Sequence, residues 1–142
     1  MRISSVSQCK IIELDKIHNR AGNLTVVQNH LSVPFSVERV YYLYDVPNNA
    51  ERGGHAHKEL YQLIIAASGS FTIILNDGTV KKSFMLNNPN MGLLVVPGIW
   101  RELNDFSSGS VCLVLASMKY SASDYIRDYQ EFLIYKNDSQ VF

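Results

Sequence analysis

The sequence predicts an all-β fold, an antiparallel sandwich or barrel with one short helix at its carboxyl end, on three observations. Short β-rich segments recur along the chain with turn residues between them, an Asp-Gly pair joins two of them, and helical periodicity is confined to the end. The expected strands run over 23–28, 37–46, 60–66, 70–75, 79–86, 92–96 and 110–116. Asp77-Gly78 is a preferred pair for a tight hairpin between 70–75 and 79–86. Residues 87–90 read as a loop, and Pro97-Gly98 ends the strand before it by removing a donor and permitting unusual dihedrals. Ser121 to Asp124 resembles a capping box, after which Tyr125, Ile126, Tyr129, Phe132 and Leu133 fall on one helical face. That aromatic stripe is expected to close the barrel rather than to bind a partner or cofactor.

With 142 residues, 46% hydrophobic and 18% charged, the chain suits one domain over 1–142. No repeat, low-complexity tract or linker divides it. Thirteen basic against thirteen acidic side chains give no global field for nucleic acid or an anionic membrane, so an acidic ligand must be caught locally. The apolar runs fall short of the roughly 20 residues of a membrane helix. The amino terminus lacks the apolar core of a secretory signal, and a soluble, cytoplasmic protein is expected. Cys9 and Cys112 form no CxxC and read as two unpaired thiols, Cys112 buried.

His55-Ala56-His57 carries the chemistry. In an extended strand both imidazoles point to one face, and a His pair in a pocket suits either proton transfer or metal binding. Arg39 and Tyr41 share one face of their strand, while Val40, Tyr42 and Tyr44 share the other. One of these two sets enters the cavity. Arg52, beside Gly53-Gly54, is placed to meet a phosphate with its planar fork. Arg52 through Gln62, then six residues to Gly69, has the layout of the first cupin motif, which ends in a Glu ligand where this chain has Gln62. Arg101 stands where the last His ligand of the second motif would fall. An arginine has no lone pair to give and its charge repels a cation, so no metal is expected and the His pair is free to titrate.

Those residues, with Arg39-Val40-Tyr41-Tyr42, 92–97, Trp100-Arg101-Glu102, 114–117 and 123–129, resemble the dTDP-4-keto-6-deoxy-D-glucose 3,4-ketoisomerases over nearly the whole chain. These are small metal-free cupins of bacterial deoxysugar pathways, including those of O-antigen and lipopolysaccharide. The resemblance implies a cupin jelly-roll barrel, no cofactor, and a homodimer with exchanged amino-terminal strands. It also implies His55, His57 and Tyr41 as catalytic groups that move a ketone from C4 to C3 through an enediol. Arg52 is then the candidate for the diphosphate. Gln62, Trp100 and Arg101 are candidates for the sugar end, and Arg39, on the face of Tyr41, joins the binding set. Relatives yield either gluco or galacto products. Many carry a bulky residue where this chain has Ala21, after Arg20, and many carry His in place of Arg101, so the outcome at C4 stays open. The competing readings are a dTDP-4-keto-sugar 3,5-epimerase, a metal-dependent cupin and a cupin that only binds sugar.

Overall fold

The computed structural model describes residues 4–141. Residues 1–3 and 142, the ends of the expected 1–142 domain, lie outside the described residues. The strands are β1 (Lys10–Glu13), β2 (Lys16–Asn19), β3 (Gly22–Thr25), β4 (Arg39–Leu43), β5 (Arg52–His57) and β6 (Gln62–Ser68). They continue with β7 (Phe71–Asn76), β8 (Lys81–Leu86), β9 (Met91–Val95), β10 (Trp100–Asn104), β11 (Val111–Ala116) and β12 (Tyr125–Ile126) before helix α1 (Tyr129–Val141). One five-stranded sheet has the order β1-β9-β6-β11-β4, the other β12-β5-β10-β7-β8, and β2-β3 form a separate hairpin.

The sheets face each other across a core that period-two alternation builds. Phe71, Ile73 and Leu75 of β7 point inward and meet Ile64 and Ala66 of β6, Leu93 and Val95 of β9, and Cys112 and Val114 of β11. Burial of each large aliphatic or aromatic side chain among them contributes roughly 1.5–3 kcal/mol. Strand β6 is apolar on both faces because its outer face is covered too. Leu63 and Ile65 pack with Leu14, Val33, Phe35 and Leu115. This is the expected all-β jelly roll with a carboxyl-terminal helix.

Several elements differ from expectation. The hairpin at 71–86 forms, but its turn spans 77–80. Asp77 N donates to Val80 O at 3.2 Å and closes it, and the carboxylate of Asp77 caps it by accepting from the backbone of Thr79 at 2.9 Å and of Val80 at 2.8 Å. The strand expected over 37–46 is confined to β4, since Asp45 has φ 56°. The segment after Ser121 does not continue as a helix. Tyr125 and Ile126 pair with His57 and Ala56 of β5, and Asp128 rather than Ser121 precedes the helix, accepting from Glu131 N at 3.0 Å. Pairing with a strand edge outweighs the local capping pattern.

Candidate active site

Between the sheets, at β4, β5, β6 and β10, lies a cavity of about 540 Å³. The backbone of β5 shapes one wall. Gly53 (φ +86°) and Gly54 (φ +70°) are left-handed, and a Cβ on Gly53 would lie 3.0 Å from Arg101 O and 3.1 Å from Leu103 Cδ1. The glycine pair thus lets β5 lie against β10 where the β10 register shifts between Arg101 and Glu102. Beyond them the strand straightens, and His55 and His57 project to the same side, their rings 4.9 Å apart and edge to face.

The two imidazoles have different surroundings. His55 lines the cavity, whereas His57 is fully buried. His57 Nδ1 lies 2.9 Å from Asp124 Oδ2, and the other oxygen of Asp124 accepts from Glu59 N at 2.7 Å. The ring of Tyr125 covers both, 5.1 Å from that of His55 and 4.4 Å from that of His57, and Arg127 stacks on Tyr125 at 4.0 Å. Burial, then the charge of Arg101, lowers His55 from 6.5 to about 4. The same two causes in the same order push His57 well below its ordinary value. Both rings are neutral at neutral pH. The Nδ1–H of His57 donates to the Asp124 carboxylate and its Nε2 is left as an acceptor without a protein partner.

Opposite them stands a polar chain. Arg101 is fully buried, donates through Nη1 to Gln62 Oε1 and through Nη2 to Ile99 O at 2.9 Å, and Gln62 Nε2 donates to Tyr41 Oη at 3.0 Å. Both acceptors of Arg101 are neutral, so its charge stays in the cavity. Burial lowers it only to about 10, and it remains a cation. Burial raises Tyr41, which stays a protonated phenol. Of the two faces of β4, the one carrying Arg39 and Tyr41 turns in, while Val40 and Tyr42 are exposed.

The cavity brings together His55, Tyr41, Arg39, Arg52, Gln62 and Arg101, with His57 directly behind. Trp100 is a correction. It faces away from the cavity and packs against Tyr129 at 5.2 Å and Phe132 at 5.7 Å of α1. Neighbouring strand residues point to opposite faces, so Arg101 and Trp100 cannot both meet one ligand. The reading of the sequence missed Asp124, Tyr125 and Arg127, which it placed at a helix cap and on the closing helix. No group of three or more His, Cys, Asp or Glu side chains suited to a metal exists among the described residues. Gln62 has its oxygen engaged by the Arg101 guanidinium.

The family model described as "FdtA: WxcM-like, C-terminal" matches residues 7–137. The TDP-4-oxo-6-deoxy-alpha-D-glucose-3,4-oxoisomerase of Aneurinibacillus thermoaerophilus is 42% identical over 126 residues, covering 89% of this chain and 91% of its own. The chain belongs to the sugar 3,4-ketoisomerase family. Two solved ketoisomerases agree with it along their length. The TDP-quinovose 3,4-ketoisomerase from Campylobacter jejuni is 48% identical with a TM-score of 0.86, covering 89% of this chain and 97% of its own. A histidine-to-asparagine mutant of the 3,4-ketoisomerase from Thermoanaerobacterium thermosaccharolyticum, in complex with TDP-4-keto-6-deoxyglucose, is 37% identical with a TM-score of 0.90, covering 92% and 94%. The cupin jelly roll and the isomerase class expected from the sequence are those of this ketoisomerase family.

Proposed function

We propose that this protein moves the ketone of dTDP-4-keto-6-deoxy-D-glucose from C4 to C3. The observation that carries the reading is the convergence of a neutral imidazole, a neutral phenol and a buried guanidinium on one cavity. The C4 ketone acidifies the C3 proton. His55, the imidazole that lines the cavity, takes that proton, and an enediol forms. A proton returned to C4, with loss of the C3 hydroxyl proton, leaves the ketone at C3. His57, in ring contact with His55 and held by Asp124, is the second proton-transfer group. Tyr41 donates to the oxygen on which charge develops, and the charge of Arg101 favours the enediolate. Arg52, with Arg39 and Arg127 beside it in the lining, meets the diphosphate. No cofactor takes part, because the reaction needs only proton transfers.

Similarity to the quinovose enzyme at 48% identity supports the gluco configuration at C4 of the product. The whole of 1–142 then serves as one catalytic domain. Its product enters deoxysugar biosynthesis of the kind that supplies O-antigen and lipopolysaccharide, in the cytoplasm, where two buried, unbridged thiols are at home. Among the described residues no helix is long and apolar enough to cross a membrane. A homodimer with exchanged amino-terminal strands is supported by the β2-β3 hairpin. Neither of its strands pairs with the five-stranded sheets, Ile17 and Leu24 are exposed on it, and β4, a sheet edge, exposes Val40 and Tyr42. Light scattering reads that mass, and a monomer at micromolar concentration removes the dimer.

Incubation with the 4-keto substrate in deuterated water, followed by NMR, tests the reaction. A ketone at C3 with deuterium at C4 supports the proposal. Deuterium at C5 marks a 3,5-epimerase, and unchanged sugar marks a binding protein.

A further inference from the structure

We infer that Arg101 and Gln62 are positioning residues that make Tyr41 a hydrogen-bond donor into the cavity, toward the sugar oxygen at C4; this rests on the ketoisomerase reading of the site. A guanidinium can only donate. The atom of Gln62 that faces Arg101 is therefore the amide oxygen, and the amide nitrogen is turned to the other side. There it lies 3.0 Å from Tyr41 Oη. Arg101 is itself fixed, since it is fully buried and its second nitrogen is held by Ile99 O at 2.9 Å. The polarity of the chain thus runs one way, from Arg101 through Gln62 to Tyr41.

The consequence falls on the phenol. Because the amide supplies the hydrogen of their shared bond, the hydrogen of Tyr41 is left for another acceptor, and Tyr41 lines the cavity. A carboxylate in place of Gln62 would reverse this. It would still accept from Arg101 but would also accept from Tyr41, drawing the phenolic hydrogen away from the sugar. Loss of the C3 proton places negative charge on the C4 oxygen. A donor already aimed at that point stabilises the transition state without reorganising. Gln62, expected from the sequence as a group touching the sugar, acts in this account through Tyr41, and Arg101 adds this positioning to the effect of its charge.

The variant Gln62→Glu keeps the size and the acceptor for Arg101 while reversing the bond to Tyr41. It is assayed with a chelator present, because a carboxylate beside two imidazoles is a metal-ligand set. The expected result is a fall in kcat of about 100-fold, with KM changed less than about three-fold. Tyr41→Phe should lose the same, and the double variant no more than either. Losses that add, or wild-type kcat in either single variant, overturn the inference. Should Gln62→Glu not fold, the side-chain amide of Gln62 is followed by NMR in the otherwise intact enzyme. Tyr41→Phe should shift that signal and speed its exchange with solvent, and an unchanged signal overturns the inference. Failure of the wild type to move the ketone would remove the ketoisomerase reading, whereas this amide signal would still respond to Tyr41→Phe.

Discussion

Strand β10 divides the second sheet into two unlike regions. On one side β7 and β8 present Phe71, Ile73, Leu75 and Leu86 to a dry core, and on the other β5 and β12 present His55 and Tyr125 to a polar cavity with His57 buried behind them. Strand β10 itself serves both, with Leu103 in the apolar cluster and Arg101 in the cavity. Among the described residues, buried side-chain polar atoms without a protein partner are Arg39 Nε, His55 Nε2, His57 Nε2 and Arg101 Nε, at or behind the cavity, and Asn104 Oδ1 and Ser110 Oγ away from it. Close packing stabilises a fold, while unpaired buried polar atoms destabilise it and are kept where a ligand or a proton must be met. The contrast teaches that stability and chemistry are carried by opposite flanks of one sheet.

Substitutions should separate the two flanks. The largest effect is expected from His55→Asn, which removes the imidazole facing the cavity and should lower kcat by about 10²–10⁴-fold. Its melting temperature should stay near wild type; a variant that turns over normally would refute the role of His55. On the other flank Ile73→Ala leaves a cavity in the core and should destabilise the protein by about 2–5 kcal/mol, read by denaturant unfolding. Its kcat per folded molecule should be unchanged, and a fall in kcat matching that of His55→Asn would dissolve the division. Asp124→Asn lies between them in kind. An amide can hold His57 in either tautomer, so kcat should fall about 10–100-fold with little change in stability, and nitrogen NMR of the ring should report loss of the fixed Nδ1–H.

The two flanks were not equally legible in the sequence. Alternation along β7 and the Asp77-Gly78 turn announce the apolar hairpin, and the single residue between His55 and His57 places both rings on one face, because each depends only on neighbours in the chain. The same rule separates Trp100 from Arg101 once 100–104 is a strand, and that strand was not among those expected. Asp124 and Tyr125 were not readable in this way. They reach the histidines through two residues of β12 paired with β5, and Asp124 is 67 residues from His57 in sequence. Their local pattern, a serine three residues before an acid, points to a helix cap instead. Strands β1, β2, β5, β10 and β12 have no counterpart among the expected strands. In β1 and β2, Lys10, Glu13 and Lys16 break the apolar alternation, and pairing with β9 or with β3 supplies what propensity lacks.

Acid titration gives the smallest effect and tests the electrostatic side of the comparison. Burial and Arg101 hold His55 at about 4 against 6.5 for the free group. As a base it must be neutral, so kcat/KM should hold as pH falls through 6.5 and decline only near the lowered value. The same shift sets a stability term of definite sign. Below pH 6.5 the unfolded chain takes up a proton that the folded His55 refuses until about pH 4, so stability falls as pH drops through that window. His55→Asn removes this term and should lose less stability than the wild type over the same range. Ile73→Ala, which removes no titrating group, should follow the wild-type pH dependence at a lower level throughout. An acid limb of kcat/KM near 6.5, or parallel pH curves for wild type and His55→Asn, would mean that the cavity does not depress the imidazole.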